Sequence, residues 1–467
     1  MRVLSVASEC VPLVKTGGLA DVAGALPAAL APEGIEVATL IPAYRSVIEA
    51  AGDTREVADL GTLFRGPARL LQGRLGSHPL YLLDAPHLFD RDGKIYLDPK
   101  GEDWPDNPKR FAALSLVAAR IGADGIAGWR PQVLHLHDWQ AGLTPIYLRQ
   151  MGAEARVGTL MTIHNIAFQG LALPTMVDEL ALPRSAFNPQ GYEFYGKISA
   201  LKAGIVFADA VSTVSPTYAR ELMTEDFGMG LDGVLRTRRA DFSGILNGID
   251  EAVWAPPYKT PKGKAAQKKA LQAHMGLPAG TGPLLVVVSR LTEQKGLDLL
   301  LAAMPEFLEA GGQLAVLGTG DPKLERAFQD AADRNENVAV EITYNEALAQ
   351  LLITGGDAIA VPSRFEPCGL TQLYGLRFGT LPLVALTGGL ADTVIPANVA
   401  ARKAGVATGF QFYPITAQGL RDALSQLVAT YADAKLWSKM QRNAMAHPVG
   451  WSASAGAYGR LLRSLAK

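Results

Sequence analysis

Asp357-Ala358-Ile359-Ala360-Val361-Pro362-Ser363-Arg364-Phe365-Glu366-Pro367-Cys368-Gly369-Leu370-Thr371-Gln372 reads as a short buried strand, a sharp turn and the start of a helix that continues through Leu373-Tyr374-Gly375-Leu376. That order puts the backbone N–H groups from Gly369 onward at a helix N-terminus, where they can receive an anion such as phosphate. Glu366 then lies beside the anion position and not inside it. A diphosphate next to a sugar would use both; an ordinary strand-to-helix turn with a capping carboxylate would give the same spacing.

The pattern occurs again at the N-terminus, where the strand-like Arg2 to Ala7 runs into Lys15-Thr16-Gly17-Gly18-Leu19-Ala20-Asp21 and the helical pattern Val22 to Leu30. Two adjacent glycines let a backbone approach a ligand closely, and Lys15 adds a movable positive charge. Thr16 to Asp21 recurs residue for residue as Thr387-Gly388-Gly389-Leu390-Ala391-Asp392, again between a strand and a helix. The matching context suggests an internal duplication with two equivalent loops lining a shared cleft; the alternative is two good strand-to-helix turns.

Between these loops, strands are expected at Val37–Ile41, Pro79–Leu83, Val133–His137, Thr159–Ile163 and Ala210–Val214, with helices such as Asn107–Ile121 and Ala141–Gln150 alternating between them. Alternation of this kind predicts an α/β fold with a doubly wound parallel sheet, which binds ligands at the C-terminal ends of its strands. Polar residues gather at those ends: His137-Asp138-Trp139-Gln140, His164-Asn165 and Asn247-Gly248-Ile249-Asp250. After Trp254 a lysine-bearing run through Lys259, Lys262, Lys264, Lys268 and Lys269 reads as a solvated linker opening into a helix. A second alternation follows, at Leu284–Val288, Gln313–Leu317, Val338–Ile342, Ala358–Val361 and Leu381–Leu386. Two sheets of one type predict two Rossmann-like domains, residues 1–250 and 251–445, facing a cleft. Of the helical segments Gly419–Tyr431, Lys435–Ala446 and Trp451–Leu465, all are candidates to return across the first domain, and residues 446–467 are assigned to do so.

A chain of 467 residues suits two domains. With 44 basic and 45 acidic side chains its formal charge is -1, so no broad field attracts nucleic acid or an anionic membrane. Two cysteines, Cys10 and Cys368, argue against a disulfide framework and suit a reducing cytoplasm. Glu9, Pro12 and Lys15 interrupt the N-terminal apolar run too early for a signal peptide, and no uninterrupted apolar stretch is long enough to span a bilayer. A cytoplasmic protein with no membrane or nucleic-acid partner is expected.

Candidate chemistry follows the strands. In Ser289-Arg290-Leu291-Thr292-Glu293-Gln294-Lys295-Gly296, Arg290 and Lys295 are near enough along the loop to converge on one group, and a guanidinium with an ammonium suits a diphosphate. No metal set is convincing. His135 and His137 share a strand face without a third ligand, and Asp90-Arg91-Asp92 followed by Gly93 is more simply a polar turn. The expectation is no metal and no cofactor, with Lys15, Arg290 and Lys295 neutralising the phosphates. Tyr344, in a loop after a strand, is placed to stack on a base, and Trp139 on a sugar ring; both could equally be half-buried core aromatics.

Together these motifs resemble the bacterial glycogen synthase and plant starch synthase family, retaining glucosyltransferases of the GT-B fold, over essentially the whole chain. The most specific are Lys15–Leu19, His137-Asp138-Trp139, Thr162-Ile163-His164-Asn165, Asn247–Asp250, Ser289–Gly296, Ser363–Gly375 and Thr387–Val394. The resemblance implies transfer of glucose from ADP-glucose to the non-reducing 4-OH of glycogen or another α-1,4-glucan. It also implies that Lys15 and the Gly17-Gly18 backbone contact the diphosphate, Asp21 the nucleotide side, and Arg290 and Lys295 the leaving diphosphate. Glu366 becomes the essential carboxylate near the donor glucose, with Cys368, Gly369, Leu370 and Thr371 around glucose and phosphate. His164 and Asn247 become glucose contacts, Tyr344 the adenine platform, and Asp138, Trp139, Tyr96 and Asn165 the acceptor side. Tyr374 stands where some relatives carry a second glutamate, Leu386 where many have arginine, and Thr343 where glycine is frequent. Rival readings are a GT-B enzyme using a UDP-sugar and a non-catalytic glucan- or nucleotide-binding protein.

Overall fold

The computed structural model describes residues 1–467, which divide into two units: Met1–Asn247 with Trp451–Lys467, and Gly248–Gly450.

In the first unit the strands are β1 (Arg2–Val6), β2 (Glu36–Pro42), β3 (Arg55–Leu63), β4 (Gly66–Leu75), β5 (His78–Asp84), β6 (Val133–His137) and β7 (Gly158–Ile163). They continue as β8 (Leu171–Ala172), β9 (Glu193–Phe194), β10 (Lys197–Ser199), β11 (Ala210–Thr213) and β12 (Phe242–Gly244). Nine of them form one sheet in the order β12-β11-β7-β6-β1-β2-β5-β4-β3, parallel from β12 to β5. The central strands are apolar runs buried on both faces, as helix-covered parallel strands must be. The edge is different: β5, β4 and β3 pair antiparallel, an edge the alternating α/β pattern does not predict. Their turn, Phe64-Arg65, holds both residues at positive φ, the geometry of a tight hairpin without the Asn-Gly pair that advertises it.

Helix Trp451–Leu465 is the part of the C-terminal region that joins this unit. Trp451, Ala455, Tyr458 and Leu462, spaced along one helical face, pack with Val22, Leu26 and Leu30 of helix Gly18–Leu30 over Val3, Val133 and Leu160. Helices Ala417–Tyr431 and Ala434–Ala446 do not return; Leu420, Leu424, Leu427, Trp437 and Met440 bury them in the second unit's core.

That second unit is built on β13 (Leu284–Val288), β14 (Gln313–Leu317), β15 (Val338–Glu341), β16 (Ala358–Val361), β17 (Leu381–Ala385) and β18 (Phe410–Phe412). The sheet order β15-β14-β13-β16-β17-β18 is parallel throughout, and its winding order reverses between β13 and β16. In the first unit the same reversal falls between β1 and β6. Each is the switch point at which doubly wound sheets open a crevice above their strand ends.

Two expectations are corrected here. The lysine run is not uniformly solvated: Lys264 is buried, donating to Thr354 O, Thr380 Oγ1 and the Tyr258 hydroxyl, and Lys268 pairs with Asp357 at 2.6 Å. Burial pulls the Lys264 ammonium down to about 7. Nor are the repeated hexapeptides equivalent in the topology. The first copy follows β1, the opening strand of its sheet, whereas the second follows β17, the fifth strand of the other. An in-register duplication would place both after the same strand.

Candidate active site

In the second unit, the ends of β13 and β16 enclose a cavity of ≈ 50 Å³ whose lining includes Ser289, Lys295, Ser363, Glu366, Gly369 and Thr371. That space holds a few water molecules or one compact anion, so anything larger must extend over the open surface beyond it. Lys295 Nζ lies 2.6 Å from Glu366 Oε2, and Ser363 Oγ donates to the same oxygen at 2.9 Å. Glu366 is buried and Lys295 mostly so, and the two donors fix the carboxylate's orientation. Gly369, at φ 72, turns the chain into helix Thr371–Phe378. A Cβ at Gly369 would meet the tip of the Gln372 side chain, Oε1, at 2.4 Å, and the positive φ itself calls for glycine. Cys368 is buried, and Leu370 and Thr371 are partly exposed along the rim.

The second hexapeptide copy closes this turn from behind. Gly389 N–H donates to Glu366 O at 3.1 Å and to Pro367 O at 3.2 Å. Added Cβ atoms at Gly388 and Gly389 would lie 1.9 Å from Glu366 O and 2.3 Å from Cys368 O. The glycines therefore serve backbone-to-backbone packing behind Glu366. Arg290 is exposed without an ion-pair partner and is not among the cavity's lining residues. Tyr344 is 82% exposed after β15, so its ring is available and is not a core aromatic. Tyr374, in the place of a second glutamate, stacks on Trp254 with ring centroids 3.7 Å apart.

In the first unit the polar residues gather above β1, β6 and β7. Ser5 Oγ is 3.1 Å from His137 Nε2, and His137 Nδ1 is 2.9 Å from His164 Nε2. Burial holds both imidazoles neutral, pulling His137 down to about 3 and His164 well below its ordinary value. Asp138 adopts φ 55, a left-handed conformation rare outside glycine, and this aims its carboxylate at the backbone N–H of His164 (2.7 Å) and of Asn165 (3.4 Å). Burial raises Asp138 to about 7 against the opposing pull of those N–H groups. The Asn165 side chain accepts from Ala167 N–H, and Asn247, at the end of this unit, is buried with Oδ1 lacking a partner. Trp139 is half-buried, its ring 4.9 Å from that of Phe111 and pressed by Gly170, so most of it faces the protein interior.

The first hexapeptide copy lies in the same unit, with Thr16 and Gly18 exposed and Leu19 and Ala20 buried. Lys15 Nζ pairs with Asp21 Oδ1 at 2.8 Å, and a Cβ on Gly18 would meet nothing within 4 Å. What holds the loop is Glu9, a residue the sequence reading used only to dismiss a signal peptide. Its buried carboxylate accepts from Thr16 N–H, from Thr16 Oγ1 at 2.9 and 3.0 Å, and from Gly17 N–H at 3.1 Å. The Tyr96 hydroxyl reaches Glu9 Oε1 at 3.3 Å and Ser8 Oγ at 2.6 Å, so Tyr96 is turned toward this anchor. No group of three or more His, Cys, Asp or Glu side chains is placed to hold a metal ion.

Residues 2–237 match the family described as starch synthase catalytic domain, and residues 274–446 match glycosyl transferases group 1. The chain is 66% identical over 465 residues to a glycogen synthase of Paracoccus denitrificans (strain Pd 1222), covering 100% of this chain and 99% of the relative. It is 56% identical over 473 residues to a glycogen synthase of Jannaschia sp. (strain CCS1), with coverage of 100% and 99%. Among solved structures it resembles the catalytic domain of starch synthase IV from Arabidopsis thaliana bound to ADP and acarbose. There the TM-score is 0.86 and the identity 29%, over 100% of this chain and 99% of that one.

Proposed function

Since the chain belongs to the glycogen synthase and starch synthase family, we propose that it transfers glucose from ADP-glucose to the non-reducing 4-OH of an α-1,4-glucan such as glycogen, with retention of configuration. It is a glycosyltransferase of the GT-B fold with glycogen synthase function, and it acts on a nucleotide-sugar donor and a glucan acceptor. No helix is long and apolar enough to cross a membrane.

The observation that carries the finer reading is Glu366, clamped by Lys295 and Ser363 beside the helix N-terminus that begins past Gly369. A departing diphosphate gains negative charge, and a fixed ammonium with aligned backbone N–H groups stabilises that charge most in the transition state. Lys295 and Arg290 take the leaving diphosphate, helped by Lys15 and the Gly17-Gly18 loop. Gly369, Leu370 and Thr371 meet the phosphates, Tyr344 supports the adenine, and His164 and Asn247 meet the glucose. Asp138, Asn165, Tyr96 and Trp139 belong to the acceptor side, Trp139 and Tyr96 by shaping it from within. Glu366 Oε2 is already engaged by two donors, which suits a group that stabilises positive charge at the sugar better than a free nucleophile. Front-face departure follows, with the leaving phosphate taking the acceptor proton.

The test is ADP release from ADP-glucose that depends on added glycogen, run beside UDP-glucose. Glycogen-dependent release with ADP-glucose in clear excess is the expected outcome; equal or greater turnover of UDP-glucose would overturn the donor assignment.

A further inference from the structure

The first unit's glycine loop contains a contradiction. Its exposed backbone is placed to receive a diphosphate, yet two of its N–H groups, those of Thr16 and Gly17, are already given to a carboxylate, Glu9. A charged acidic side chain directly behind an anion-binding loop repels the anion, so its presence there calls for a compensating role. Nothing in the backbone replaces it. In the second unit Thr387 N–H, the counterpart of Thr16 N–H, goes to the main-chain carbonyl of Ala385, and Gly389 N–H, the counterpart of Gly18 N–H, to those of Glu366 and Pro367, but here the anchor is a side chain from the loop after β1.

From this geometry we infer that Glu9 is a positioning residue for the donor: by binding the Thr16 and Gly17 N–H groups and the Thr16 hydroxyl, it fixes the loop so that Gly18 N–H, the first turn of helix Gly18–Leu30 and Lys15 face the diphosphate. Three features support it. The Glu9 side chain is buried whereas Lys15, Thr16 and Gly18 are exposed, so an interior group dictates the shape of a surface loop. The pair Cys10 and Val14, joined by reciprocal N–H···O bonds of 3.0 Å, and the bond from Val11 N–H to Ala20 O bind the intervening chain at both ends, leaving the Thr16-Gly17 corner to Glu9. Tyr96 and Ser8 complete the anchor by fixing the carboxylate's other oxygen. With Thr16 and Gly17 committed, the free donors are those that open the helix, where the helix dipole also favours an anion.

This inference rests on the nucleotide-sugar reading, and the experiment separates the two. Kinetics for ADP-glucose and for glycogen are measured on the full chain with Glu9→Ala and Glu9→Gln. Glutamine keeps one carbonyl oxygen for the Thr16 and Gly17 N–H groups and offers its amide to Tyr96, so it retains the anchor without the charge. The expected result for Glu9→Ala is a rise of about tenfold or more in KM for ADP-glucose and in Kd for ADP by calorimetry, with a smaller change in the glycogen KM, since Tyr96 on the acceptor side also loses its Glu9 contact. Glu9→Gln is expected to recover the donor KM to within about threefold. An unchanged donor KM in Glu9→Ala overturns the inference, as does a parallel loss of donor and acceptor kinetics that glutamine fails to rescue, which marks a merely structural role. A wild-type chain that turns over no ADP-glucose overturns the donor reading instead.

Discussion

Thr-Gly-Gly-Leu-Ala-Asp occurs twice in this chain, and the two copies do different things. At Thr16–Asp21 Gly18 is open to solvent, Gly17 is partly so, and the loop is held by a side-chain carboxylate; at Thr387–Asp392 both glycines are buried and the loop lies flat against the backbone of Glu366 to Cys368. One leads into a helix of 13 residues, the other into a helix of 6. In the first copy glycine leaves room for something to come, and in the second it makes room for something already there. An identical hexapeptide specifies a strand-to-helix turn and nothing more; the partners supplied by the rest of the unit decide the role.

The comparison can be broken at several levels. The harshest cut removes residues 451–467, which supply Trp451, Ala455, Tyr458 and Leu462 to the core around the first copy. At ~1.5–3 kcal/mol for each large side chain lost from the core, the first unit should lose its cooperative melting transition in calorimetry. The second unit, whose core holds none of these residues, should keep its own. Retention of both transitions would show that the helix is dispensable.

Single glycines test the copies directly. Gly389→Ala drives a methyl to 2.3 Å from Cys368 O, so the Glu366 turn must shift. We expect ~1–3 kcal/mol of lost stability in urea unfolding and a fall of ~100-fold in kcat, as expected when a catalytic group moves by about 1 Å. Gly18→Ala meets no neighbour, and alanine is the better helix residue, so stability should hold or rise by ~0.4–1 kcal/mol while the donor KM increases. Equal effects from the two substitutions would mean that the copies are not distinguished by packing.

The lysine–carboxylate pairs give a milder contrast. Lys295→Ala strips a buried Glu366 of its partner and should cost ~100-fold or more in turnover. Lys15→Ala breaks a half-exposed pair with Asp21, whose loss changes stability by less than ~1 kcal/mol, leaving a raised donor KM as its mark. Thermal midpoints and donor kinetics on both variants check this.

A further contrast concerns pH. Asp138 has its folded value raised to about 7, so between its ordinary range and 7 the folded chain binds a proton that the unfolded chain has lost. Stability contributed by this group is therefore lost as pH rises through that window. Wild type minus Asp138→Asn, followed as a difference in melting temperature, should show that decline and then level above about pH 7. A difference that is flat with pH would remove the buried-acid description.

Much of this was legible in advance. The parallel strands announced themselves as apolar runs, and Glu366, Gly369 and Lys295 as the polar punctuation after two of them, because strand, turn and helix starts are local properties. What escaped is what depends on distant partners. The hairpin β3–β4 lies at an edge with mixed polarity and turns through Phe64-Arg65, which no turn rule favours. Glu9 looked like an interruption in an apolar stretch, since nothing local reveals that it receives Thr16 and Gly17. Lys264 looked solvated because its neutral acceptors, Thr354 and Thr380, come from far along the chain. The hexapeptide repeat misled for the same reason: identity of residues was visible, and identity of strand position was not.

Helix Trp451–Leu465 has a consequence for the order in which the protein comes into being. Synthesis delivers the N-terminal sheet first, but its covering helix last, after every residue of the intervening unit has emerged. The part begun earliest thus waits longest for its cover, and until helix Trp451–Leu465 leaves the ribosome its apolar flank stands uncovered, a nascent-chain liability.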